Sequence, residues 1–252
     1  MEEIKANGGE SILTNNLSGL EGEVNDTGVL KWSQLLLFLL IFLGFGALIG
    51  VLAVIYDAVT ESHLIDLITT SYSGLILDAF IFFIVVYTYK SVRIFSFKAI
   101  DFSVLRYKKT YLYIISGFAI FLITQYILLQ VLKIDNPLKQ QSDLGINQLN
   151  SWGSIVLFVF SVAILTPIKE EFLYRGIIYR FFEKKYPKYG FWLGLVTSSL
   201  IFGLLHFGVQ FSATVMSFTL IILYRLTKSL VPLMILHMLW NLYAVVVIFL
   251  SY

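Results

Sequence analysis

Long apolar runs separated by short polar stretches make up nearly all of the sequence after residue 30. Clear runs cover residues 35–55, 75–89, 111–132, 191–206, 211–224 and 230–250, and two adjacent runs, the second carrying a few charges, cover 154–166 and 167–182. A bilayer core takes roughly 20 residues of helix, and lipid-exposed backbone must hydrogen-bond within its own segment. The pattern therefore predicts an all-α, polytopic membrane bundle of seven or eight transmembrane helices.

Composition strengthens this interpretation and excludes several classes of protein. Hydrophobic residues make up 58% of the chain and charged residues only 13%, with a mean hydropathy of +0.83. A soluble domain carries about a quarter charged residues, so this chain cannot cover a water-exposed surface. The absence of cysteine excludes disulfides and a thiol nucleophile. We expect the lipid bilayer as a partner and no nucleic acid, since the net charge of +2 gives no indication of one.

The first 30 residues differ from the rest because they are polar and acidic, with Lys5 as the one basic residue before residue 31. This segment has no basic region followed by a short apolar core, so we do not interpret it as a secretory signal peptide. We expect residues 1–30 to be a disordered tail and residues 31–252 to form one membrane-embedded helical domain, with its catalytic core in 151–252.

Charge also predicts the orientation in the membrane. Six basic residues fall in 90–109, whereas 57–74 contains acidic residues and no Lys or Arg. The positive-inside rule then places 90–109 and the N-terminus in the cytoplasm. If 154–166 crosses fully, there are eight spans and the basic turn at 184–188 lies outside; if it only dips, there are seven and that turn is cytoplasmic. The site would open near the cytosolic half in the first case and nearer the outer half in the second.

Charged side chains interrupt the apolar run at 167–182. Glu171 and Arg175 lie four residues apart, so on a helix they share a face and can pair. Glu170 is rotated by about 100° from Glu171, which leaves its carboxylate free for chemistry. Ionisable residues in membrane spans are rare and mark functional sites by default.

Two of the three histidines also lie in apolar runs, whereas His63 lies in an acidic loop. Phe202 and His206 are four residues apart and are predicted to share one helix face, as are His237 and Asn241. A turn centred on Lys188 lies 18 residues after Glu170 and 18 residues before His206. An antiparallel helical hairpin would bring both side chains to the same depth, about 27 Å from the turn.

A glutamate, two histidines and an amide in one membrane pocket would suit hydrolysis without a serine or cysteine nucleophile. A carboxylate and an imidazole can deprotonate water, directly or through a metal. A second histidine and an amide can stabilise an oxyanion. Glu170, His206 and His237 are candidate metal ligands, and a divalent metal such as zinc is the cofactor they could bind. We assign no metal, because an asparagine oxyanion donor would duplicate what a metal supplies.

The order and spacing of these residues resemble the CPBP family, which comprises CAAX proteases and bacteriocin-processing enzymes and is also called Abi. The family signature is Glu-Glu-x-x-x-Arg, then Phe-x-x-x-His, then His-x-x-x-Asn. In this sequence the matching residues are Glu170, Glu171, Arg175, Phe202, His206, His237 and Asn241, and the resemblance extends from residue 154 to 252.

The resemblance implies an intramembrane endopeptidase of the CAAX type. Glu170 and His206 would activate water, His237 and Asn241 would bind the oxyanion, and Glu171, Arg175 and Phe202 would support the site. The substrate would be a membrane-associated peptide or protein. We expect a bacterial plasma-membrane enzyme acting in bacteriocin or signal-peptide processing or in self-immunity.

Two other classes remain open from the sequence. A non-proteolytic scaffold or immunity protein could use the same fold to bind a peptide or a partner. A transporter could also use buried glutamate and histidine to carry protons. It would be expected to have paired broken helices in two related halves, and the sequence has no such symmetry. Neither the substrate and its cleavage site nor the oligomeric state can be read from the residues.

Overall fold

The computed structural model describes residues 28–69, 72–136, 146 and 149–251, and these residues form helices and connecting turns without a strand. The all-α prediction is confirmed. Most of the tail expected at 1–30 lies outside the described residues. The helices are α1 (Trp32–Thr60), α2 (Leu64–Thr69), α3 (Tyr72–Thr88), α4 (Lys90–Phe97), α5 (Lys108–Val131), α6 (Trp152–Lys185), α7 (Gly190–Leu204), α8 (Gln210–Thr227) and α9 (Val231–Ser251).

Four of these helices, α1, α5, α6 and α9, are long and apolar enough to cross a membrane. A fifth span results if α3 and the segment after it, which bends away by 102°, count as one. The predicted count of seven or eight is therefore not confirmed. The helix α7 has only 15 residues, and α8 carries hydroxyl, amide and basic side chains along its length.

The helix α6 joins two runs that the sequence presents as separate. Residues 154–166 and 167–182 lie in one helix of 34 residues. Pro167 does not end it, because the preceding turn, Ser161–Leu165, is a π-helical turn with wider hydrogen bonding. The N–H of Thr166 bonds to the carbonyl of Ser161, five residues back. The run at 154–166 is thus the first part of α6; it neither crosses as a separate span nor dips as a separate segment.

The basic segment at 90–109 is structured and packs against the ends of other helices. It contains α4 and a 3₁₀ turn at Phe102–Arg106. Arg180 of α6 donates to the carbonyl of Phe95. The N–H of Leu230, between α8 and α9, donates to the carbonyl of Ala99 at 2.8 Å. The segment 90–109, the end of α6 and the α8–α9 turn therefore share one end of the bundle.

The centre of the bundle is the second half of α6. Every residue of Glu171–Tyr179 is buried, and this stretch packs against α4, α7 and α8. Much of the outer surface is apolar: in α1, Leu40, Leu43 and Val59 are 69%, 64% and 78% exposed. A buried polar stretch inside an apolar exterior is the arrangement of a protein embedded in lipid, and the chain is a multi-pass membrane protein.

Candidate active site

Glu170 lies between the two imidazoles that the sequence singled out. Its Oε2 atom is 3.7 Å from Nε2 of His237 and 4.0 Å from Nε2 of His206. Oε2 is buried and has no hydrogen-bond partner within the described part of the chain. The structure therefore brings together the glutamate of α6, the histidine after α7 and the histidine of α9. Polar atoms at such separations can be bridged by a water molecule.

Glu171 and Arg175 form the predicted ion pair. Arg175 Nη1 donates to Glu171 Oε1 at 2.9 Å, and both side chains are fully buried. The same Oε1 accepts a hydrogen bond from Nδ1 of His237 at 2.8 Å. Glu171 therefore holds the ring of His237 as well as the guanidinium, a contact between residues 66 apart that sequence spacing does not reveal.

His206 lies outside the helix to which the sequence assigned it. The helix α7 ends at Leu204, and the N–H of His206 bonds to the carbonyl of Gly203 at 3.0 Å in a tightened final turn. Gly208, with φ of 90°, then reverses the chain into α8. The expected closeness to Phe202 is retained, because the two rings lie 4.2 Å apart between centroids.

The hydrogen bonds of both histidines leave their Nε2 atoms facing Glu170. His206 Nδ1 lies 2.6 Å from the carbonyl oxygen of Phe202, which can only accept, so Nδ1 carries the hydrogen. His237 Nδ1 likewise donates to the carboxylate of Glu171. Fixing one ring nitrogen in this way sets the tautomer and orients the other nitrogen.

The same three donors are those that could hold a divalent metal such as zinc. Two donors each about 2.0 Å from a tetrahedral zinc lie about 3.3 Å apart, so the present separations of 3.7 and 4.0 Å would have to shorten. Among the described residues, no group of three or more His, Cys, Asp or Glu side chains has the arrangement of a metal site.

Phe202 joins the members of the site. Its ring lies 4.5 Å from Cζ of Arg175, a cation–π contact, and 5.9 Å from the ring of His237 in an edge-on arrangement. Tyr174 packs edge-on against it at 5.0 Å. Phe202 is almost fully buried and contacts the guanidinium and both imidazoles.

Asn241 is placed differently from the other site residues. Its Nδ2 donates to the carbonyl of Val162 in α6 at 2.9 Å. That carbonyl lacks both of its usual helical partners, since the N–H of Thr166 bonds to Ser161 and Pro167 has no N–H. Asn241 thus satisfies an acceptor that the π-helical turn leaves free.

Two acidic residues that sequence reasoning missed support the elements of the site. Asp78 of α3 pairs with Lys169, the neighbour of Glu170; an isolated acid in the run at 75–89 was the available signal. Asp135 accepts hydrogen bonds from the N–H of Phe211, the N–H of Ser212 and the hydroxyl of Ser212, at 3.2, 2.8 and 2.6 Å. It thereby caps α8 directly after the turn that carries His206.

Comparison with known families connects this geometry to a class of protein. The family model described as Type II CAAX prenyl endopeptidase Rce1-like matches residues 152–243. This range includes all seven residues of the three motifs. Residues 152–243 therefore match an Rce1-like domain, which is consistent with the CPBP resemblance, and this similarity supports a peptidase. Searches of curated proteins and of solved structures gave no match.

Proposed function

We propose that the protein is an intramembrane endopeptidase that hydrolyses a peptide bond of a membrane-associated peptide or protein with water activated by Glu170 and His206. The observation that carries the proposal is the buried Glu170 Oε2, unpartnered among the described residues, facing two Nε2 atoms at 3.7 and 4.0 Å. Leaving a buried carboxylate oxygen without a partner is costly, and such exceptions call for a functional reason.

The reaction follows from the positions of the acceptors. A water held between Glu170 and His206 would give a proton to one of them as its oxygen attacks the scissile carbonyl carbon. The carbonyl oxygen becomes an oxyanion. When the carbon–nitrogen bond breaks, the retained proton passes to the departing nitrogen, which leaves as an amine. The products are a carboxylic acid and an amine, and the chain ends unchanged.

Charge balance supports a proton held within the site. Glu170 and Glu171 carry two negative charges and Arg175 one positive charge, all in buried positions. One additional proton on the histidines or Glu170 makes the cluster neutral, and neutrality reduces the cost of burial in lipid. His237 can hold that proton because its Nδ1 already donates to Glu171.

Oxyanion stabilisation is assigned to His237 and Asn241. A protonated His237 would present Nε2–H on the side of Glu170, which lies 3.7 Å away. Asn241 uses its Nδ2 to hold Val162, and a primary amide has a second N–H to donate. The assignment therefore requires the second amide hydrogen of Asn241 to reach the substrate while the first stays on α6.

The cellular setting is the bacterial plasma membrane in this proposal, with the basic end of the bundle and the N-terminus in the cytoplasm. Bacteriocin processing, signal-peptide processing and self-immunity are the roles that a small peptidase of this family would serve. The substrate is then a hydrophobic or lipid-anchored segment that enters the bundle from the bilayer.

The test compares membrane and secreted peptides from cells that produce the wild-type protein, Glu170→Gln or Glu183→Gln. Glu183 lies on the same helix and is a matched control outside the cluster. We expect a set of cleaved peptides with wild-type protein and Glu183→Gln, and the uncleaved precursors with Glu170→Gln. Identical peptide sets in all three cultures, with any immunity phenotype retained by Glu170→Gln, would instead support a non-proteolytic scaffold.

A further inference from the structure

The hydroxyl of Thr166 is a buried polar group with no use in the site as described so far. Its Oγ1 atom is inaccessible and has no hydrogen-bond partner among the residues that the structure describes. Thr166 begins the α-helical turn Thr166–Glu170. It lies four residues before Glu170, so the two side chains share one face of α6.

A threonine inside a helix normally avoids this situation by donating to the carbonyl four residues back. Five other threonines of the described residues do so. Examples are Thr214, which donates to Gln210 at 2.8 Å, Thr219 to Val215 at 3.1 Å and Thr227 to Leu223 at 2.8 Å. The corresponding carbonyl for Thr166 belongs to Val162. That oxygen instead accepts from Asn241 Nδ2 at 2.9 Å.

The Thr166 hydroxyl is thus a donor without an acceptor among the described residues, one turn after the Val162 carbonyl that Asn241 holds and one turn before Glu170. We propose that Thr166 is a further catalytic residue, whose hydroxyl donates a hydrogen bond to the carbonyl oxygen of the scissile peptide and to the oxyanion that it becomes. This assignment rests on the proposed function. It gives the oxyanion a donor from α6 itself, in addition to the donors of α9.

If Thr166 has this role, removing its hydroxyl should lower activity without lowering stability. A buried hydroxyl without a partner lowers stability, so removing it while keeping the shape of the side chain should not harm the fold. Removing an oxyanion donor lowers turnover, by about 10²-fold or more for a well-placed donor. If the hydroxyl had a purely structural role, its removal would lower stability.

The experiment measures turnover and thermal unfolding of purified Thr166→Val, Thr166→Ser and Thr219→Val on a peptide that the Glu170→Gln comparison identifies. Thr219 is the matched control because its hydroxyl is satisfied by Val215. We expect Thr166→Val to lose about 10²-fold in turnover with a melting temperature equal to or above that of the wild type. Thr166→Ser should keep most of the turnover, and Thr219→Val should keep wild-type turnover.

Two results would overturn the inference. One is wild-type turnover for Thr166→Val while Glu170→Gln is inactive, which leaves the proposed function standing. The other is a melting temperature for Thr166→Val that falls further than that of Thr219→Val, which would assign the hydroxyl a structural role. An active Glu170→Gln protein would contradict the proposed function itself, whatever Thr166 does.

Discussion

Arg175 contacts two other residues of the site, whereas the four-residue spacing predicts only its pairing with Glu171. It is fully buried, donates to Glu171 and lies over the ring of Phe202 at 4.5 Å. Glu171 also holds His237. Loss of the guanidinium would leave a buried carboxylate whose remaining partner is an imidazole, so the damage should extend to the orientation of His237.

Arg175→Ala should therefore reduce the amount of folded protein and not only its activity. Removing one partner of a buried pair costs about 3–5 kcal/mol. The measurement is thermal unfolding in detergent together with the yield of monodisperse protein. The double variant Glu171→Gln with Arg175→Met removes both charges and should recover much of the loss. Arg175→Ala with wild-type yield and melting temperature would show that the pair does not stabilise the fold.

Sequence spacing predicted the contacts that follow from one helix and missed those that depend on helix rotation. The pair of Glu171 and Arg175 needs only a four-residue interval, so it could be predicted. The bond between Glu171 and His237 depends on how α6 and α9 face each other, which no local pattern specifies. The closeness of Glu170 and His206 was predictable, because residues equally far from the turn of a helical hairpin lie at the same depth in the membrane.

At the scale of elements, the π-helical turn before Pro167 makes α6 depend on α9. The carbonyl of Val162 relies on Asn241, because Pro167 cannot donate. Asn241→Ala should lower the free energy of unfolding by about 1 kcal/mol, in the range of interhelical hydrogen bonds in membranes. Thermal unfolding checks this value.

Pro167→Ala provides the control for that prediction, because it restores an N–H five residues after Val162. The double variant Pro167→Ala with Asn241→Ala should then lose less stability than Asn241→Ala alone. If Asn241→Ala costs the same stability in the wild type and in Pro167→Ala, the carbonyl of Val162 does not need the amide of Asn241. Turnover that stays low in the rescued double variant would separate the oxyanion role of Asn241 from its structural role.

The start of α8 is the second element on which the site depends. Asp135 is buried and caps this helix, and the N–H of Asn136 donates to the carbonyl of Gly208 at 2.6 Å. Both contacts fix the turn that carries His206. This support comes from outside the matched range of 152–243.

Asp135→Ala should loosen this turn at a cost of about 0.5–2 kcal/mol for the lost cap. In Asp135→Ala, diethylpyrocarbonate should modify His206 faster than in the wild type. Mass spectrometry measures this rate, with the exposed His63 as the internal reference. Asp135→Asn keeps an acceptor and should stay close to wild type. Asp101→Ala removes a comparable cap from the 3₁₀ turn in the segment 90–109, away from His206, and should leave the labelling rate unchanged. An unchanged labelling rate of His206 in Asp135→Ala would refute the dependence.

Element boundaries were less predictable than element type. Apolar runs predicted helices because lipid leaves no other solution, but 154–166 and 167–182 were treated as two runs and form one helix. The π-helical turn before Pro167 was not predictable, since it depends on a side chain 79 residues away. His206 was expected inside α7, because the period of four residues continues past the point where Gly208 turns the chain.

At the scale of the whole molecule, basic residues gather at one end and the site lies away from it. Arg180, Lys228 and the segment 90–109 meet at that end through the contacts of α4, α6 and the α8–α9 turn. The turn after His206 lies beside Glu170, midway along α6. Hairpin α7–α8 therefore reaches only to the level of the cluster.

The positive-inside rule then predicts which side of the membrane each end of the bundle faces. Single cysteines at Lys98 and Lys188 should be labelled from the cytoplasmic side by an impermeant maleimide, and one at Glu61 from the outside. The chain has no cysteine of its own to interfere. External labelling of Lys188 together with cytoplasmic labelling of Lys98 would contradict this arrangement, because both residues lie at the basic end.

Glu170 is the residue that we propose activates the water that cleaves the peptide. The most direct measurement is the turnover of Glu170→Gln on an identified peptide, beside wild type and Glu183→Gln, with thermal unfolding of all three. Removing a general base typically costs about 10²-fold or more, and glutamine keeps the shape of the side chain. We expect such a loss in Glu170→Gln at a melting temperature equal to or above that of the wild type, because a costly buried charge is removed. Near-wild-type turnover of Glu170→Gln would contradict the proposed role.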